Sequence, residues 1–261
     1  MRLTRREQAT AALYADLHAR ASDSYALEYL LPGFLTHLSR LGLAPDTAVR
    51  GKSVLDAGCG GFGGGVAVAL ALGAASATGI DFSEANMKAA RRRFADAPNA
   101  HFQVGNLLDL QVPDASFDFV YCSGVLMITE DPPRAFRELV RVLKPGGRIY
   151  IGVYGRGGLF NQVAVPAMKL AGRLVPRPVT SRLLTLVPCL LKPSSSLMDF
   201  MYVPIEIHYR IPEVEAWFTA LGMQPTFLRH YREPETWWNR LLFGDGTMIF
   251  FSAVKPCPQA I

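Results

Sequence analysis

Four polar residues stand where apolar runs of this chain end: Asp56, Asp81, Asn106 and Ser123. Carboxylate, amide and hydroxyl groups of this kind bind a polar, hydroxyl-bearing or cationic small molecule. The first of them leads into KSVLDAGCGGFGGG, Lys52 to Gly65, in which six of the eight residues from Gly58 onward are glycine. Glycine lets the backbone turn at positive φ and come close to a ligand. The apolar stretch VAVALALGA that follows reads as a helix whose first amides point at whatever lies over the turn. A carboxylate two residues before the first glycine repels a pyrophosphate, whereas a cation or a hydroxyl group suits it.

The spacing Gly58-x-Gly60-x-x-Gly63, with Asp81 some way downstream, also matches the turn of dinucleotide-binding folds. The elements that position these residues have to separate the two readings. A helix is expected from Thr4 to Arg20, with Thr4 and Glu7 forming a capping box. A second, Tyr25 to Leu41, is closed by Gly42. Both precede the first strand, so they pack on the domain or cover its ligand. Tyr14, Tyr25 and Tyr29 are candidates to line the site, although tyrosines on amphipathic helices more often border a core. Strands are expected at Ser53 to Ala57, up to Asp81, through HFQVGN to Asn106, from Phe117 to Ser123 and over RIYIGVYG. Between them come a Ser83-capped helix to Arg93, a helix from Pro133 to Leu143 and a Lys144-Pro-Gly-Gly turn. Such alternation builds an α/β, doubly wound, mostly parallel sheet, and ligands sit beyond the carboxyl ends of its strands. All four polar residues fall at those ends.

Composition narrows the function classes. The chain has 261 residues, half of them hydrophobic, and a net charge of +5. Its basic residues are dispersed without interleaved aromatics, which argues against a nucleic-acid groove. The four cysteines, Cys59, Cys122, Cys189 and Cys257, have neither metal-ligand nor disulfide spacing, and no metal is expected. They fit a reducing, cytoplasmic compartment. The N-terminal MRLTRREQAT lacks a signal-peptide core. No apolar run reaches the roughly 18 residues a spanning helix needs, so no stable membrane insertion is expected.

Taken together, these segments resemble the class I S-adenosylmethionine-dependent methyltransferases. VLDAGCG is similar to the family's first motif, GID to its ribose motif, GNLLDLQVPDASFD to its adenine loop, and RELVRVLKPGGRIYIG to its later helix and fifth strand. The resemblance implies a seven-stranded Rossmann-like sheet and S-adenosyl-L-methionine as cofactor. It implies that Asp56 and Gly58 face the methionine ammonium and carboxylate, and that Gly60 permits close approach. Asp81 would take both ribose hydroxyls, and Phe82 would stack on the adenine. Asn106, with the Leu107 amide, would hold the base, and the Ser123 carbonyl would lie near the methionine end. Two departures stand out. Phe62 occupies the family's third glycine position and is expected as a wall of the site. Leu126-Met127-Ile128 replaces the histidine-bearing segment that many relatives carry after the fourth strand.

The chain thus divides into a helical cover over residues 1–45, a cofactor-binding core over 46–155, a helical insertion over 156–207, and a C-terminal helix with two antiparallel strands over 208–261. The insertion is expected to be a lid that excludes water and shapes the acceptor pocket; a homodimer patch or a lipid-touching surface is the alternative. Tyr202 and His208, near its end, join Tyr14 and Tyr25 as catalytic candidates. The expected function is methylation of a small-molecule acceptor at oxygen or nitrogen, in specialised metabolism. The alternative is a cyclase or lyase on the same fold, as in azetidine-2-carboxylate synthases, which would release methylthioadenosine from the cofactor itself.

Overall fold

The computed structural model describes residues 4–19, 26–186, 200–229 and 236–257. Seven strands form one sheet: β1 (Ser53–Ala57), β2 (Ser76–Asp81), β3 (Ala100–Val104), β4 (Phe117–Ser123), β5 (Leu143–Tyr154), β6 (Thr226–Arg229) and β7 (Met248–Val254). Their order is β3-β2-β1-β4-β5-β7-β6. The first five are parallel, and β7 runs antiparallel to both of its neighbours. The expected strands lie where the apolar runs put them. The Lys144-Pro-Gly-Gly turn is a bulge inside β5: the register with β4 jumps from Leu143 to Arg148, and Gly146 takes φ +75°.

Helices cover both faces. On one lie α4 (Gly64–Ala71) and α2 (Leu31–Arg40), where Phe34, Leu38, Val66 and Val68 bury themselves against Phe119, Tyr150 and Phe250. On the other lie α6 (Pro132–Val142) and α9 (Ile211–Thr219), where Phe136, Leu139, Val214 and Phe218 pack on Leu55, Val120 and Ile151. Each such side chain contributes roughly 1.5–3 kcal/mol by leaving water. The remaining helices are α1 (Arg5–Ala19), α3 (Pro45–Val49), α5 (Glu84–Arg93), α7 (Val165–Leu174), α8 (Arg177–Leu186) and α10 (Trp237–Phe243).

The second expected helix opens as a π-helical turn, Ala26–Leu30, before α2, and a similar turn, Phe160–Ala164, precedes α7. In both cases a proline, Pro32 or Pro166, stands in the first turn of the following helix. Proline lacks an amide and crowds the carbonyl four residues back, so the preceding turn widens. α3 and α10 are too short to give a periodic signal. Lys255, just past β7, donates to the carbonyls of Val140 and Leu143, both at 2.7 Å, at the end of α6. A cation there satisfies orphan carbonyls and opposes the helix dipole.

Candidate cofactor-binding site

The sheet order reverses between β1 and β4, and in open α/β sheets that switch point is where ligands bind. The glycine-rich turn after β1 lies there. Gly58, Gly60 and Gly63 have φ of +81°, +59° and +58°, a region closed to most side chains. A Cβ on Gly58 would stand 2.4 Å from Val125, so the segment after β4 closes directly on the turn.

Asp56 lies near the end of β1, beneath the turn. Only 3% exposed, its Oδ2 accepts the Val66 amide at 3.1 Å in the first turn of α4. A Cβ on Gly65 would come 2.6 Å from the carboxyl carbon. The amides at a helix start lack partners within the helix, and this acid supplies one. Burial pushes its pKa up to about 7, against the opposing pull of the Val66 and Gly65 amides. The residue anchors α4 beneath the turn.

Asp81 at the end of β2 does face the turn. Its Oδ1 accepts the Ser83 amide at 2.8 Å and the Asn86 side-chain amide at 3.3 Å, and its Oδ2 accepts the Gly60 amide at 3.1 Å. Burial raises its pKa, opposed by these same donors. A carboxylate has about four acceptor positions, so one remains, on Oδ2 beside Gly60. Ser83 caps α5 as expected, accepting the Asn86 amide at 3.3 Å. Phe82 is half-buried beside it. Phe62 points at α5, where the Arg93 guanidinium lies 5.4 Å from the ring centroid. Cys59 packs with Met87 and Ala90, and burial holds its thiol far above the ordinary range.

Asn106 is a junction. Its Oδ1 accepts the Leu108 amide at 2.9 Å, while its Nδ2 donates to Glu7 Oε1 on α1 at 3.1 Å. Leu107 buries its side chain in the core. At the start of α1 the capping box is formed, with Thr4 and Glu7 bonded reciprocally, and the Thr4 hydroxyl also donates to Glu130 at 2.6 Å. Helix α1 therefore bridges the loops after β3 and β4. Arg177 of α8 donates to the Leu13 carbonyl at 3.4 Å, which brings the insertion against α1. Ile207, at the far end of the insertion, donates to Met127 at 2.9 Å. Ser123 lies at the end of β4 opposite Gly152, where a Cβ would meet its hydroxyl.

Tyr14 is half-buried on α1, and Tyr25 lies outside the described residues. The Tyr202 hydroxyl is engaged within the insertion, donating to the Val175 carbonyl at 2.9 Å with Thr180 Oγ1 at 2.5 Å. His208 presents Nε2 to Glu206 at 2.9 Å, and its Nδ1 faces the Gly155 carbonyl at 3.1 Å and Asn161 at 2.6 Å. Glu206, its side chain 3% exposed, pairs in turn with Lys169 of α7 at 2.6 Å. Both ring nitrogens of His208 thus hold the insertion onto the end of β5. Val125, which closes on Gly58, and Lys169, which pairs with Glu206, carry contacts that no sequence motif marks. Each acts through contacts distant in sequence. A small, mostly apolar cleft lies between α2 and the start of α4, lined by Leu30, Phe34, Gly64, Gly65, Phe119 and Tyr121. Among the described residues, no three acidic, histidine or cysteine side chains gather as a metal site, and no helix is long and apolar enough to cross a membrane.

A family model described as a methyltransferase domain matches residues 55–151. The chain is 31% identical over 174 residues to a demethylmenaquinone methyltransferase of Clavibacter sepedonicus, covering 67% of this chain and 66% of that one. It is 32% identical over 139 residues to a ubiquinone biosynthesis O-methyltransferase of Paracidovorax citrulli, covering 52% and 56%. The match thus spans about half to two thirds of these curated relatives. Among solved structures, the fold is similar to that of an S-adenosylmethionine-dependent methyltransferase from Mesorhizobium loti, with TM-score 0.55, 19% identity, and 82% and 94% of the two chains covered.

Proposed function

Since the chain belongs to the class I S-adenosylmethionine-dependent methyltransferase family, we propose that it methylates a small-molecule acceptor at oxygen or nitrogen. The observation that carries this reading is Asp81. A buried carboxylate at the end of β2, with one acceptor position left beside the Gly60 amide, fits a ribose hydroxyl at the switch point. The positive-φ turn at Gly58 and Gly60 suits close approach of the rest of the nucleoside to the backbone, and Asn106, bonded to Glu7 and Leu108, is our candidate for the base. When bound, S-adenosylmethionine supplies a methyl group on a sulfonium, already activated for displacement.

The chain's own task is then to position an acceptor and exclude water. Helix α1 and the insertion serve as roof, tied down at Asn106, Glu130 and Met127. The segment after β4 offers Leu126 and Met127, both buried, in place of a general base. An acceptor that ionises readily, or an amine that arrives neutral, suits such a segment. The names of the two relatives support an aromatic acceptor. Tyr14 is our candidate for lining its pocket.

The test is mass spectrometry of the full chain with S-adenosylmethionine, with and without a panel of phenols, quinols and amines. S-adenosylhomocysteine formed only with an acceptor supports methyl transfer. Methylthioadenosine above the enzyme-free level, with no acceptor added, would overturn it in favour of cyclisation of the cofactor.

A further inference from the structure

The outer face of the insertion is built the wrong way round for a helix that only packs on its own domain. The inward side of α7 is accounted for: Val165 is buried, Lys169 donates to the Val203 carbonyl at 2.8 Å, and Gly172 leaves no room for a Cβ against Met201. Yet Val163, Ala167, Leu170 and Leu174, spaced four, three and four residues apart, form a second apolar stripe on the outer side. Val163 is 63% exposed and Leu174 74%. Beside the π-helical turn that begins this stripe stands α10. It exposes Leu241, Leu242 and a stacked pair, Trp237 and Trp238, whose ring centroids are 3.6 Å apart. Contiguous exposed apolar surface of this kind marks an interaction site.

Charge identifies the occupant. From Arg156 to Leu186 the chain carries five Lys or Arg residues and no Asp or Glu. Lys169 is used inside the fold; Arg173 is exposed on α7 beside the stripe, and Arg182 is exposed on α8. Two copies meeting face to face would bring these like charges together, as a two-fold interface brings the same patch from each side. Leucines flanked by arginines, with tryptophans whose amphipathic rings favour the headgroup level, fit the surface of an anionic bilayer. We infer that α7 and α10 form a membrane-docking face that lays the protein on anionic lipid without spanning it. The inference does not rest on the methyl-transfer reading. It would place the roof of the crevice at the lipid boundary, where an apolar acceptor is dissolved.

The experiment uses the full chain and vesicles of phosphatidylcholine with and without phosphatidylglycerol. Trp217 is packed against Tyr209 and Phe136, so two of the three tryptophans report on the patch. Sedimentation with the anionic vesicles and a blue-shifted emission are expected, with little of either on neutral ones. Leu174→Glu, and separately Arg173→Glu with Arg182→Glu, should each weaken partitioning at least about tenfold. An Arg173→Gln, Arg182→Gln pair keeps the test decisive if the glutamate pair unfolds. No sedimentation, equal binding to both vesicle types, or a lipid-independent dimer that Leu174→Glu dissociates would each overturn the inference.

Discussion

Glu7 and Asn106, 99 residues apart in sequence, are joined by a 3.1 Å hydrogen bond from the amide to the carboxylate. The same carboxyl group closes the capping box of α1, so one side chain both starts the helix and docks it. Hydrogen bonds to charged groups contribute roughly 1.5–3 kcal/mol. Glu7→Ala should therefore speed amide exchange of residues 5–19 by on the order of tenfold or more, with β1 and β4 unaffected. Unchanged exchange would mean that packing alone holds α1.

Asp81→Asn retains an acceptor and the volume of the side chain but removes the charge. Binding of S-adenosylhomocysteine, measured by calorimetry, should weaken at least about tenfold, and thermal stability should fall as well, because the new NH2 group faces a buried amide donor at Gly60 or Ser83. Wild-type affinity in a folded variant would remove Asp81 from the ribose contact.

Asp56 gives a pH signature. Its folded pKa, about 7, lies above the roughly 3.9 of an unfolded aspartate. Between these values the native state binds more protons than the unfolded one, so stability falls as pH rises, then levels off above about 7. Asp56→Asn keeps an acceptor for the Val66 amide and cannot ionise. The urea midpoint of the wild type should drop relative to this variant between about pH 4.5 and about pH 7.5. Parallel pH profiles would show that the folded carboxylate ionises as readily as the unfolded one.

Removing one partner of a buried ion pair is more damaging than removing both. Lys169→Met leaves Glu206 buried with His208 as its remaining partner, and should destabilise by on the order of 2 kcal/mol. Adding Glu206→Gln should recover part of that loss. Urea titrations of the two single variants and the double variant give the coupling directly; additive losses would show that the pair is not coupled.

Tyr202→Phe separates a brace from a ligand contact. Loss of the hydroxyl bonded to Val175 and Thr180 should lower stability by about 1 kcal/mol and leave S-adenosylmethionine affinity unchanged. Tyr14→Phe should alter acceptor affinity instead. A Tyr202→Phe variant that binds the cofactor yet loses acceptor-free turnover would return that hydroxyl to the chemistry.

The sheet and its cofactor end were legible because they are written locally. Apolar runs ending in Asp56, Asp81 and Ser123 mark strands; Ser83 and Thr4 mark helix starts; Gly58 and Gly60 mark the turn. What could not be read is where side chains point once distant segments meet. Asp56 sits where the motif puts it, but α4 claims its carboxylate. Phe62 breaks the glycine pattern and carries the Arg93 guanidinium over its ring. Tyr202 and His208 have residue types suited to catalysis, yet the hydrogen bonds that occupy them come from Val175, Gly155, Asn161 and Glu206. Burial by tertiary contact has no periodicity to betray it.

The position of β7 bears on how the chain assembles. It follows β6 in sequence but lies between β5 and β6, so β6 has no partner until Met248–Val254 has been made. During synthesis the outer edge of β5 that β7 later covers, Arg148 to Tyr154, stays open while the other parallel strands can already pair. An unpaired apolar edge of that length is a template for association between nascent chains. A ribosome stalled before Met248 should therefore hold an aggregation-prone intermediate, and supplying the β7 segment as a separate peptide should quench it.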